Sequence, residues 1–143
     1  MYQKILLPLN MNETALIKKA LKAAITEAKA HNATLHLFSS IPGFNMPMVS
    51  SYFPKDVMLK ALTELKQKLK DYAKANIPAD INVTFGVGEG SAHKQILKEI
   101  EKENIDLVVI SSHSGRKVGQ FFLGSVASKV VEHAKTNVMV IKE

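Results

Sequence analysis

With 143 residues the chain has the length of one domain, expected to span 1–143, and is long enough to bury a core without staples. The absence of cysteine excludes disulfides, thiolate chemistry and cysteine zinc sites, and fits a reducing compartment. The net charge of +6 raises nucleic acid as a partner, and the placement of that charge has to decide for or against it.

Met1-Tyr2-Gln3-Lys4-Ile5 enters a strand directly, with no apolar leader or cleavage site. No window nears the roughly 18 continuous apolar residues of a membrane span. A cytoplasmic protein with no membrane role is expected. The first strand runs from Lys4 to Asn10 as KILLPLN. Asn12 reads as the N-cap of a helix from Glu13 to about His31, with Leu16, Ala20, Ala24 and Ala28 on one stripe. Ala33 to Ile41 follows as the second strand. Pro42, Pro47 and Pro54 exclude a long regular element between Pro42 and Pro54. Phe44, Met46, Met48, Tyr52 and Phe53 make that loop apolar. It suits either a cover over the core or a partner subunit, or a lid beside a ligand.

The second helix is expected from Lys55 to Lys74, with Met58, Leu62, Leu65, Leu69 and Tyr72 at helical spacing. Lys60, Lys66, Lys68, Lys70 and Lys74 cluster on it, but Asp56, Glu64 and Asp71 are interspersed and no aromatic platform accompanies them. A solvated face is the better reading, and nucleic acid is not the expected partner. Ile81 to Val87 forms the third strand, Gly88-Glu89-Gly90 a turn, and Ser91 the N-cap of a helix to Asn104 with Ile96, Leu97 and Ile100 inward.

Ile105 to Ile110 is a buried strand. The polar, basic stretch Ser111 to Lys117 follows it, and Gly124-Ser125 opens a helix to about His133. Backbone N–H groups, hydroxyls and a helix N-terminus meet there, an arrangement suited to an anion such as phosphate. The same residues also fit a strand, a surface loop and a capped helix without a ligand. Arg116, the sole arginine, lies in this loop, and its forked guanidinium matches phosphate oxygens. His113 can orient the loop or touch a ligand. Thr136 to Lys142 is the fifth strand.

Strands alternating with amphipathic helices predict an α/β domain, an open parallel sheet with helices on both faces. A ligand then sits beyond the carboxyl ends of the strands where their order reverses. The five histidines show no metal-ligand spacing, and the Gly-x-Ser-x-Gly elbow, the Walker pattern and the dinucleotide fingerprint are all missing. No catalytic residue and no metal ligand is assigned.

The whole chain resembles the universal stress proteins, in particular their nucleotide-binding branch. The resemblance rests on KILLPLN with its Asn-Glu-Thr-Ala helix start, the GVGEGS turn, IDLVVISSH, and FFLGSVASKVVEHAKTNVMVIK. It implies a Rossmann-like, adenine nucleotide alpha hydrolase-like fold: five parallel strands in order 3-2-1-4-5. ATP-binding members carry Gly-x2-Gly-x9-Gly-Ser/Thr after the fourth strand. Here the spacing is kept as Ser111-x2-Ser114-x9-Gly124-Ser125, with serines for both early glycines. Asn10 stands where the family usually has aspartate, and Ser40 replaces a commonly apolar residue beside the base.

The resemblance therefore implies a stress-response regulator that binds ATP or a related adenine nucleotide, with Mg2+ as a candidate companion. Pro8, Leu9, Asn10, Ser40 and Ile110 would hold base and ribose. Ser111, His113, Ser114, Arg116, Gly124, Ser125 and Val126 would surround the phosphates. A nucleotide-free dimeric interaction protein and a slow ATPase stand as alternatives. Enzyme activity is left open, at most weak ATP hydrolysis. A homodimer is expected through Val138, Met139, Val140 and Ile141 of the last strand, whose apolar edge proteins tend to cover.

Overall fold

The computed structural model describes residues 1–42, 55–112 and 123–143. Five parallel strands form one sheet: β1 (Lys4–Pro8), β2 (Thr34–Ile41), β3 (Val83–Glu89), β4 (Leu107–Ser112) and β5 (Asn137–Lys142). Their order is β3-β2-β1-β4-β5, as the family resemblance implies. The described helices are α1 (Lys18–His31), α2 (Lys55–Asn76), α3 (Ala92–Lys102) and α4 (Ser125–His133). The apolar stretch expected as a loop, with Phe44, Met46, Met48, Tyr52 and Phe53, lies outside the described residues.

Each face of the sheet has its own core. Ile5, Leu7, Leu35 and Leu37 pack with Ala20, Ala24 and Ala28 of α1 and Leu69 of α2. Leu6, Phe38, Val108 and Ile110 pack on the other face with Ile96 and Ile100 of α3 and Ala127 and Val130 of α4. Because side chains alternate along a strand, a central strand covered on both sides must be apolar throughout, as ILL and LVVI are.

Several boundaries differ from expectation. The first helix begins with a 3-10 turn at Thr14–Ile17, and α1 proper starts at Lys18. Asn12 does not cap it. Instead the Asn10 side chain accepts the Asn12 N–H at 2.9 Å, a local turn that competes with helix initiation. The N-terminus of α1 is served from across the fold: the Glu143 carboxylate accepts the N–H groups of Lys19 and Ala20 at 3.2 and 3.0 Å. A carboxylate suits the positive end of the helix.

The third strand begins and ends two residues later than its alternation suggests, so Gly88, expected in the turn, lies inside it with Gly86. The turn comes at Gly90, whose φ of 122° favours glycine. Ser91 occupies the N-cap position of α3, but its hydroxyl meets His93 Nδ1 at 3.0 Å rather than capping the helix.

Candidate functional site

β1 follows β2 in register from Lys4↔Thr34 to Pro8↔Phe38, five pairs in all. With β4 it pairs only at Ile5↔Leu107 and Leu6↔Val108. The starts of β1 and β4 are tied together, since the Asp106 carboxylate accepts the Gln3 and Lys4 N–H groups at 2.8 and 3.1 Å. Beyond Leu6 the two strands separate. Pro8 contributes to the opening because it has no N–H to give to a ladder. The sheet thus splits at its carboxyl end, where the strand order reverses.

A cleft of about 250 Å³ occupies the split. Pro8, Leu9 and Asn10 form one side, Ser39 and Ser40 another, and Ile110, Ser111 and Val126 the side towards β4 and α4. Phe38, Leu16, Ile17 and Ile96 supply apolar walls, and Glu13 a carboxylate. A larger hollow of about 570 Å³ adjoins it across Asn10, Ser39, Ser40 and Ala92. Among the described residues, no cluster of three or more metal-ligating side chains occurs.

Of the twelve residues expected at the site, Pro8, Leu9, Asn10, Ser40, Ile110, Ser111 and Val126 line this cleft. Gly124 and Ser125 are not in its lining; they begin α4, immediately before Val126. His113, Ser114 and Arg116 lie outside the described residues. Sequence reasoning missed Glu13, Leu16, Ile17, Phe38, Ser39, Ala92 and Ile96. The signal for the first three was the Pro8 to Asn12 break, which turns the following residues across the strand end. Phe38, Ala92 and Ile96 become visible only once β2 and α3 are docked.

The start of α4 is held open and in place. Gly124 is its N-cap, no side chain caps it, and its first turn carries no acid. Ser112, buried at the end of β4, accepts the Gly124 N–H through Oγ at 2.8 Å. The carbonyl of the same serine accepts the Glu143 N–H at 3.2 Å. Uncapped N–H groups at a helix start are suited to an anion.

The local turn at Asn10 has a chemical consequence. Its side-chain oxygen accepts the Asn12 N–H, and its amide nitrogen can donate to a ligand. Position 10 thereby offers a donor to the cleft where an aspartate would offer only acceptors. In the residue after Ala92, desolvation and then the charges of Lys129, Lys94 and His133 hold the His93 imidazole below its ordinary value of 6.5. The ring is therefore neutral at pH 7.

Comparisons with known proteins agree with this architecture. Residues 1–142 match the model of the universal stress protein family. A universal stress protein of Methanocaldococcus jannaschii is 27% identical over 157 residues, spanning 99% of this chain and 96% of that protein. One from Thermus aquaticus is 29% identical over 147 residues, with 99% and 100% covered. Among solved structures, the universal stress protein UspA from Lactobacillus plantarum superposes with a TM-score of 0.74 at 22% identity, covering 98% of this chain and 97% of the other. A universal stress protein in complex with cAMP superposes with a TM-score of 0.63 at 22% identity, with 98% and 97% covered.

Proposed function

Because the chain belongs to the universal stress protein family, we propose that it binds an adenine nucleotide, ATP or a relative, in the cleft between β1 and β4, as a regulatory ligand. The observation that carries the reading is the split of the sheet at its reversal point, which sets Pro8 to Asn10, Ser40 and Ile110 to Ser111 opposite the uncapped start of α4. In this reading the apolar walls take the base, and the Asn10 amide donates to base or ribose. Beside Gly124, the N–H groups of Ser125 and Val126 and the Ser125 hydroxyl receive phosphate, joined by Ser111, His113, Ser114 and Arg116. Mg2+ would accompany the phosphates through their own oxygens. A relative of the same fold bound to cAMP supports the ligand class.

The protein is proposed to act in the cytoplasm as a homodimer joined along β5. Binding rather than turnover is the function proposed.

The test is mass spectrometry of small molecules released by heat from freshly purified protein, with Arg116→Ala alongside. Stoichiometric adenine nucleotide, reduced in the variant, is the expected result. A protein that carries none and fails to bind added ATP would instead be a nucleotide-free interaction protein of the same fold.

A further inference from the structure

A buried ionisable pair lies behind the cleft wall. His36 of β2 is 1% exposed and Glu99 of α3 is 6% exposed. His36 Nε2 stands 2.6 Å from Glu99 Oε2, and Nδ1 stands 2.7 Å from Thr84 Oγ1 of β3. A carboxylate only accepts, so the first bond requires a proton on Nε2, while the threonine hydroxyl can serve Nδ1 in either role. The three groups join β2, β3 and α3.

The sequence makes room for this contact at one point. A Cβ on Gly86 would lie 2.0 Å from Glu99 Oε2 and 2.9 Å from His36 Nε2. Only glycine at 86 lets the glutamate cross the edge strand to reach the histidine. The neighbouring charge is already committed: Glu103, the C-cap of α3, takes Lys4 Nζ at 2.8 Å, and that bond holds its carboxyl below the ordinary value.

Burying such a pair is expensive, and a well-packed apolar pair often serves stability as well or better. What an apolar pair lacks is direction. His36 precedes Phe38 by two residues, so the two share a face of β2. Glu99 follows Ile96 by three residues, so the two share a face of α3. Phe38 and Ile96 are both walls of the cleft, and both belong to the core on that face.

We propose that His36 and Glu99 are positioning residues for the cleft: their bond fixes the one register of α3 on β2 and β3 in which Ile96 and Ala92 close the apolar wall beside Phe38. For its effect on affinity this rests on the nucleotide reading; for its effect on the wall it does not. Since the wall faces the base side, a loosened α3 weakens adenosine and ATP alike.

The experiment uses the full chain, isotope-labelled at isoleucine methyls and phenylalanine rings. Three variants are compared with wild type: Glu99→Gln, the double change His36→Leu with Glu99→Leu, and Lys98→Ala on the exposed face of α3 as control. In ligand-free protein, the cross-peaks between Ile96 methyls and the Phe38 ring should weaken in the first two variants and persist in the control. The double variant should keep its melting temperature while binding ATP and adenosine about tenfold more weakly, the loss equivalent to about 1.4 kcal/mol. Unchanged cross-peaks in the folded double variant would overturn the proposal. So would altered cross-peaks with unchanged affinity. If wild type binds neither ligand, the nucleotide reading fails, and the cross-peaks alone decide for or against the positioning role.

Discussion

His93 illustrates how a side chain's surroundings outweigh its type. As the neighbour in sequence of the cleft residue Ala92, it would be expected to lend positive charge to an anion site. Desolvation and the cations Lys129, Lys94 and His133 work the other way and lower its proton affinity. The ring therefore takes up its proton only as pH falls below the usual histidine range. A polyanion bound at the start of α4 would offset those cations and move the titration upward. Following the His93 ring by NMR across pH should give a midpoint below 6.5 in the free protein and a higher one with ATP. An identical midpoint in both states at saturating ATP would place the phosphates away from His93. The same contrast between type and surroundings holds at Asn10, where the side-chain oxygen accepts a local N–H and the amide nitrogen can donate to the cleft.

Ser112 carries the next scale, where one residue connects whole elements. Its Oγ receives the Gly124 N–H at the start of α4, and its carbonyl receives the Glu143 N–H. The Glu143 carboxylate in turn receives two N–H groups of α1. The end of β4 thus holds two helix starts on the two faces of the sheet. Ser112→Ala removes a buried acceptor and should cost about 1–2 kcal/mol of stability, seen as a lowered urea midpoint with an unchanged slope. It should weaken ATP while sparing adenosine, because only the phosphate side loses its anchor. Equal weakening of both would show that the α4 start does not serve phosphate.

The elements themselves were largely legible in the sequence, because apolar runs such as ILL and LVVI and the Ala20, Ala24, Ala28 stripe report burial directly. Failures came where a long-range partner decides the local structure. In β3, Gly86 and Gly88 accommodate side chains from β2 and α3; alternation placed Gly86 in the strand but took Gly88 as the start of the turn. The start of α1 depends on Glu143, 124 residues away from Lys19. Seven cleft residues could be named in advance because the family resemblance implied them, and they gather at the carboxyl-end portions of β1, β2 and β4 and the start of α4. Ile96 and the pair His36–Glu99 could not, since nothing local in a helix or strand announces which register it will dock in.

For the whole molecule the open question is how the sheet ends. Both edge strands, β3 and β5, are at most half-buried along their apolar positions, but they differ in kind. β3 is interrupted by Gly86 and Gly88, over which α3 and Phe38 side chains settle. β5 presents Val138, Met139, Val140 and Ile141 in succession between Asn137 and Lys142. Its side chains divide between the two cores, Met139 and Ile141 with one and Val138 and Val140 with the other. Among the described residues no strand pairs with its outer edge, and all four side chains are only partly buried. Such an edge, long and apolar with no internal charge, is one that proteins cover. An edge lysine is an effective block to strand pairing, and at a half-exposed position its ammonium can reach water without burying charge. Val140→Lys should therefore leave the circular dichroism spectrum intact and convert the protein from dimer to monomer in sedimentation at micromolar concentration. A folded variant that still sediments as a dimer would move the interface away from β5. A wild type that is already monomeric would show that this edge tolerates water, and the proposed nucleotide site would have to function without a partner.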